Sequence, residues 1–251
     1  ATAEENKDLV LRYNAGINSL FRDLKATFQP SELTNFVLLR VGDYLREKTS
    51  APKQAIPYYE ELLSRPDKFG EFKALLGIAD VLGRSDNLAE NKKAIASLEE
   101  VKKRAKDDEK IQETSLFRLV EINAKIGDWA ACEKKARQYL EEKHSKKSAE
   151  VSYIFALSFD KRNMVEDTLA NYGLVFSRYM GYIRISAPAV KRVLEIMWER
   201  NLAAGQQVGD TTLKKGDRQA AYEDIGSKYI SATRRIRENN KNVTDDEKEV
   251  W

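Results

Sequence analysis

Apolar residues recur at steps of three and four along most of this chain, which is the spacing of one face of a helix. The first such segment covers residues 4–28. Its apolar positions are Tyr13, Ile17, Leu20, Phe21, Leu24 and Phe28. The stretch Gln29–Glu32 breaks this helix, and Ser31 is placed to cap the next one. Sustained apolar–polar alternation, the pattern of a half-buried strand, is nearly absent, so the sequence predicts an all-α fold.

A second regularity lies within these helices: a small residue is followed four positions later by a bulky one and seven positions later by a residue that is usually apolar. The small residues, which we call anchors, are Ala55, Ala94, Cys132, Thr168 and Ala221. The residues at plus four are Tyr59, Leu98, Tyr172, Ile225 and, as the one small exception, Ala136. Those at plus seven are Leu62, Val101, Tyr139, Val175 and Lys228. Successive anchors are 39, 38, 36 and 53 residues apart, which indicates an internal repeat.

Another small residue lies upstream of most anchors. These upstream positions are Gly42, Gly77, Ala156 and, as the exception in size, Val120. Small side chains allow two helix backbones to approach, so the two series predict a helix A and a helix B that cross at these positions. The turn between them is clearest at Gly127 and Asp128, where Gly127 can end helix A in a left-handed conformation and Asp128 can cap helix B. We therefore interpret Cys132 as a small packing residue, and a reactive thiol is the alternative.

These features resemble the tetratricopeptide repeat, a helix–turn–helix unit of about 34 residues. The residues that carry the resemblance best are Gly127-Asp128-Trp129, Gly77, Ala55 and Tyr59. The resemblance implies an α-solenoid of antiparallel helix hairpins with a right-handed superhelical twist. We expect an N-terminal helix within residues 1–30 that packs on the array, four hairpins within 31–182, a C-terminal hairpin within 183–238 with an inserted loop at 201–216, and a polar tail at 239–251.

Composition and motifs weaken most alternatives to a binding protein. Forty-three Lys and Arg face 40 Asp and Glu, so the net charge of +3 gives no global reason to expect nucleic acid or an acidic membrane surface. The longest apolar run falls short of a transmembrane segment. The single histidine, His144, cannot form a Cys/His zinc site with one cysteine, and phosphate-binding and hydrolase motifs are absent. We therefore expect no catalysis, no metal, no cofactor and no small-molecule substrate.

Two groups of residues leave alternatives open. The basic clusters at residues 102–106, 143–147 and 234–237 read as solvated helix ends, with phosphate contacts as the alternative. The aromatic residues between 153 and 182 read as core, with a binding surface as the alternative. Two further classes of function therefore stay open beside partner binding: a structural protein that associates with itself, and a helical repeat protein associated with nucleic acid.

The resemblance also implies where a partner would bind. In this family the helix-A faces line a concave groove that generally holds peptides or partner helices. Carried over position by position, the candidate binding residues are Arg46, Phe117, Glu121, Lys125, Tyr153, Asp160 and Lys161. We expect Phe117, Glu121, Lys125 and Tyr153 to converge on one surface. The implied function is a non-catalytic scaffold for a protein or peptide partner. A further resemblance, of the segment "AIPYYEELLSRPD" to degenerate repeats of bacterial cell-envelope proteins, implies the periplasm or cell envelope, with the cytoplasm as the alternative.

Overall fold

The structure, a computed structural model, describes residues 16, 19–142 and 145–207 of the chain. Every regular element in this part is helical, which confirms the all-α prediction. The α-helices are α1 (residues 19–27), α2 (Asn35–Lys48), α3 (Ile56–Ser64), α4 (Glu71–Gly83), α5 (Leu88–Arg104), α6 (Glu109–Ile126), α7 (Trp129–Glu142), α8 (Ser148–Asp160), α9 (Val165–Arg178) and α10 (Ile183–Gln207). Short 3₁₀ turns lie at Pro30–Glu32 and Pro52–Ala55.

The chain divides into two compact units, residues 1–118 and 119–251, and the boundary between them falls inside α6. In the first unit α2 packs on α3, α3 on α4 and α4 on α5, and α2 also contacts α4. In the second unit α7 packs on α8, α8 on α9 and α9 on α10, and α8 also contacts α10. The helices α2–α5 and α7–α10 thus pack mainly on their neighbours in sequence. We call α2, α4, α6 and α8 the A helices, and α3, α5, α7 and α9 the B helices.

The helix boundaries follow from local chemistry. Asp128 caps α7, because its Oδ1 accepts a hydrogen bond from the Ala131 amide at 3.0 Å, and Gly127 before it has a φ of 77°. Both roles confirm the predictions for Gly127 and Asp128. The prediction for Ser31 is wrong: it lies within a 3₁₀ turn, and the cap of α2 is Thr34, whose Oγ1 accepts from the Val37 amide. The α3 helix begins at Ile56, so that Pro57 occupies its first turn, where a missing N–H costs nothing.

The predicted repeat register is confirmed in the core. Every anchor, plus-four residue and plus-seven residue of the first four copies is at most 1% exposed. Gly42, Gly77, Val120 and Ala156 of the A helices are buried as well. Cys132 Sγ lies 3.7 Å from the carbonyl oxygen of Val120, which is the contact that their 12-residue spacing predicts for one hairpin. The fifth copy, at Ala221, lies outside the described residues.

The last helix holds a position that the sequence analysis missed. Tyr172 of α9 packs in one cluster with Ala156 of α8 and Ala189 of α10, and all three are at most 1% exposed. Ala189 therefore serves as a further small residue against which a B helix packs. The loop expected at 201–216 is helical over its first seven residues, because α10 continues to Gln207. Its remaining residues, the N-terminal residues 1–15 and the tail at 239–251 lie outside the described residues.

The helices of residues 19–142 and 145–207 include none that combines the length and the apolarity required to cross a bilayer.

Candidate functional site

Arg46 is the charged residue among the predicted site residues of the first unit, and it lies at the centre of a charged cluster on α2. Its Nη2 is 3.4 Å from Asp43 Oδ1 and also pairs with Glu47. The same Asp43 oxygen accepts a hydrogen bond of 2.8 Å from the Tyr59 hydroxyl. Burial alone would lower the pKa of Arg46, but Tyr59 and the nearby carboxylates raise it above its usual value. The guanidinium is thus held in place and charged, with 19% of its side chain exposed.

The first unit contains a second charged group that the sequence did not predict. Asp80 of α4 is 7% exposed and pairs with Arg84 at 2.5 Å and with Arg118 of α6 at 2.9 Å. A buried carboxylate requires such partners, because an unpaired charge in the interior is costly. The available signal was a lone acidic residue in the apolar run "LLGIADVL", three positions after Gly77.

In the second unit the structure connects the predicted residue Asp160 to α10. Both Asp160 oxygens accept hydrogen bonds from Arg192, from Nε at 2.8 Å and from Nη2 at 3.0 Å. This two-point contact fixes both side chains and raises the pKa of Arg192, since it stabilises the charged guanidinium. Lys161, the next predicted residue, is exposed directly after the end of α8.

A cavity of about 280 Å³ opens beside the Asp160–Arg192 pair. Its lining comes from the end of α8, the beginning of α9 and the middle of α10, and includes Asp160, Thr168, Arg192, Ile196, Glu199 and Arg200. Arg200 also pairs with Glu166 of α9 at 2.5 Å. Since Asp160 occupies the position four residues after Ala156, the cavity adjoins a position that the resemblance assigned to the groove.

The predicted aromatic residues are less accessible than expected. Phe117 is 6% exposed, so it offers almost no surface to a partner in this structure. Tyr153 is half-buried and packs against Tyr172, with 5.6 Å between the ring centroids. The interpretation of the 153–182 aromatics as core holds for Phe159 and Tyr172, which are buried, whereas Tyr182 is 51% exposed.

The remaining candidates lie on α6. Glu121 is half-buried and Lys125 is exposed. Both belong to the second unit, as do Tyr153, Asp160 and Lys161, whereas Arg46 and Phe117 belong to the first. The convergence of Phe117 and Tyr153 on one surface stays a prediction.

Cys132 and His144 are the residues whose side chains could carry reactive or metal-binding chemistry. Cys132 is fully buried, and burial raises the pKa of its thiol to about 12, in agreement with a packing role. His144 lies outside the described residues. Among residues 16, 19–142 and 145–207, no group of three or more His, Cys, Asp and Glu is arranged to hold a metal ion. The basic cluster at 102–106 includes the last turn of α5, where Arg104 pairs with Glu71 at 2.5 Å.

Arg46, Asp80 and Asp160 are thus charged side chains that neighbouring residues hold in fixed positions. Such a set can recognise charge on a partner without reorganising. No family model, curated protein or solved structure matches this chain.

Proposed function

We propose that the protein is a non-catalytic interaction module that holds a peptide or a segment of a partner protein on its helix-A faces, in the manner of tetratricopeptide repeats. The proposal includes the family assignment and the groove, and both rest on the resemblance of the Gly127 turn and of the anchor series. The resemblance of residues 55–67 to cell-envelope proteins is the support for a location in a bacterial cell envelope.

One observation carries the proposal furthest: two of the charged residues at the predicted groove positions, Arg46 and Asp160, are preorganised. Arg46 is bound by Asp43 and Glu47, and Asp160 is bound at two points by Arg192. Ordering a long side chain on binding costs about 0.5–1.5 kcal/mol, and a side chain that is already fixed avoids most of this cost. Fixed charges on a partly open face therefore favour recognition of a partner that carries complementary charges.

The test begins with a random peptide library displayed on phage and selected against the full chain. The dissociation constants of the selected peptides are then measured by fluorescence anisotropy for the wild type and for the double variant Glu121→Lys with Lys125→Glu. This exchange keeps the net charge but reverses the charge pattern on α6. We expect it to weaken binding by about tenfold, since a mismatched charge pair costs on the order of 1.4 kcal/mol.

The matched control is Lys134→Glu with Glu141→Lys, a charge exchange between two exposed residues of the B helix α7. It should leave the affinity within about twofold, which is below 0.5 kcal/mol. If both exchanges leave every selected peptide bound as tightly as the wild type does, the partner does not dock on the helix-A face. If the library yields no peptide that binds, peptide recognition itself is refuted.

A further inference from the structure

The cavity beside Asp160 and Arg192 has the size of one long side chain. Its volume of about 280 Å³ is below the roughly 300–1,000 Å³ of typical small-molecule sites. It lies within the second unit, between the end of α8, the beginning of α9 and α10. These dimensions suit a single residue of a bound segment.

The inner lining of the cavity is apolar. Ile196 is 5% exposed, and the half-buried Val165 also contributes to the lining. Thr168 is 1% exposed, and its hydroxyl already donates to the Met164 carbonyl at 2.8 Å, so this polar group needs no further partner. An aliphatic chain placed here would bury apolar surface without stranding a hydrogen-bonding group.

The rim of the cavity is charged. Its lining includes two carboxylates, Asp160 and Glu199, and two guanidinium groups, Arg192 and Arg200. Two further carboxylates, Glu195 and Glu166, pair with these guanidinium groups from outside the lining. Arg192 contacts Glu195 at 3.3 Å and Glu199 at 3.9 Å in addition to its two hydrogen bonds with Asp160. Three carboxylates thus share one guanidinium.

Glu199 is the least engaged of these three carboxylates. It is 67% exposed, and the 3.9 Å contact from Arg192 is a long one. The second guanidinium of the rim, Arg200, pairs with Glu166. Lys191, which lies outside the lining, contacts Glu195 at 3.9 Å. A cation brought by a partner would therefore find Glu199 available at the mouth of the cavity.

We propose that this cavity receives a lysine or arginine side chain of the bound segment. The aliphatic stem lies against Val165 and Ile196, and the charged end pairs with Glu199. This inference deepens the proposed function and rests on it, because it names the residue class by which the second unit would select its partner. It also gives Asp160 and Arg192 a role. Because they bind each other, they form a fixed side of the cavity, and Glu199 is the carboxylate that pairs with the incoming cation.

The experiment uses single-residue probes, so that it does not depend on any selected peptide. The ¹⁵N-labelled full chain is titrated with Nα-acetyl-arginine amide, Nα-acetyl-lysine amide, the neutral isostere Nα-acetyl-citrulline amide and Nα-acetyl-glutamate amide, up to about 20 mM. We expect saturable amide shifts around Val165 and Ile196 with the two basic probes. Binding of the citrulline and glutamate probes should be at least about fivefold weaker.

The Glu199→Gln variant should weaken binding of the arginine probe by about fivefold, whereas Glu141→Gln on α7 should not change it. Any of four results would overturn the inference: equal shifts with the citrulline and arginine probes, stronger shifts with the glutamate probe, shifts that Glu199→Gln does not affect, or no shifts at all. The two proposals fail separately. If library peptides bind the wild type and Glu199→Gln equally well, the inference about a basic residue in the cavity fails and the proposed function stands. If the cavity binds the arginine probe but the library yields no peptide ligand, the proposed function fails and the cavity still binds a basic side chain.

Discussion

The ring of Tyr59 lies directly against the backbone of Gly77. A Cβ atom at position 77 would be 2.5 Å from Tyr59 Cζ and 2.8 Å from its hydroxyl oxygen. Gly42 meets the same ring, since a Cβ there would be 2.6 Å from Cε1. Tyr59 is fully buried and its hydroxyl donates to Asp43, so the ring has little freedom to move aside. One B-helix tyrosine thus fixes the approach of two A helices.

We predict from this contact that Gly77→Ala destabilises the first unit, although alanine is normally the better helix residue. The new methyl group would overlap a ring that is held at both edges, and overpacking of this kind costs roughly 1–3 kcal/mol. The measurement is urea unfolding followed by circular dichroism, with hydrogen exchange of α2–α4 peptides to show that the loss lies in the first unit.

The matched control for this variant is Gly173→Ala in α9. Gly173 also lies inside a helix, but a Cβ there would have no neighbour within 4 Å. This variant should be neutral or stabilising by up to about 1 kcal/mol, because glycine weakens a helix interior. Equal stability changes in the two variants would contradict the close packing of Tyr59 on Gly77.

Sequence alone predicted the hairpins and their core because burial repeats with the helical period. Ala55, Tyr59 and Leu62 occupy one helix face, so their spacing reveals their burial without knowledge of the partner helix. Ala189 was missed for a related reason. Its neighbours Ser186 and Ala187 are also small and also buried, so the segment offers several equivalent registers. Only the contact with Tyr172 selects one of them.

The candidate site could be predicted only in part, because its geometry depends on pairs that are distant in sequence. Asp160 was identified from its position on a repeat, but its partner Arg192 lies 32 residues away on α10. Asp80 and Arg118 are separated by 38 residues in the same manner. Helical periodicity carries no signal for such pairs. It also does not distinguish a partly open face from a closed one, which is how Phe117, a buried residue, entered the set of candidates.

A second prediction concerns the equivalent packing in the second unit. Ala156 is fully buried beside Tyr172, so Ala156→Leu should force that ring or α10 to shift and cost roughly 1–3 kcal/mol. Urea unfolding followed by tryptophan fluorescence measures the loss, since the three tryptophans of the chain, at 129, 198 and 251, all belong to this unit. An unchanged unfolding midpoint would remove the assigned register of α8.

The third prediction concerns Cys132. Burial raises the pKa of its thiol to about 12 from a usual value of 9.0, so at about pH 8 the thiolate fraction is on the order of a thousandfold below that of an exposed cysteine. Labelling by an aromatic disulfide reagent should therefore be slow in the folded protein and limited by unfolding. The same protein in denaturant is the control and should label within minutes, since the thiol is then exposed. Rapid labelling of the folded chain would show that Cys132 is accessible and reactive.

The last prediction concerns stability at alkaline pH. Burial raises the pKa of Tyr59 well above its usual value of 10.0, and the adjacent Asp43 adds to this effect. The folded state therefore keeps Tyr59 protonated where the unfolded state ionises. The stability that this difference provides is fully present below about pH 10 and is lost as the pH rises above it. From about pH 9 to about pH 11 the free energy of unfolding should fall by about 1.3 kcal/mol on account of Tyr59.

Tyr59→Phe removes this dependence because phenylalanine does not ionise. The variant should lose about 1 kcal/mol at neutral pH with the hydrogen bond to Asp43, yet its stability should fall by about 1.3 kcal/mol less than that of the wild type between about pH 9 and about pH 11. Urea unfolding at a series of pH values gives both slopes. Between about pH 7 and about pH 9 the two proteins should run parallel, which provides the internal control. Parallel slopes up to about pH 11 would mean that Tyr59 ionises as readily in the folded chain as in the unfolded one, and that its ring is not enclosed between Gly42 and Gly77.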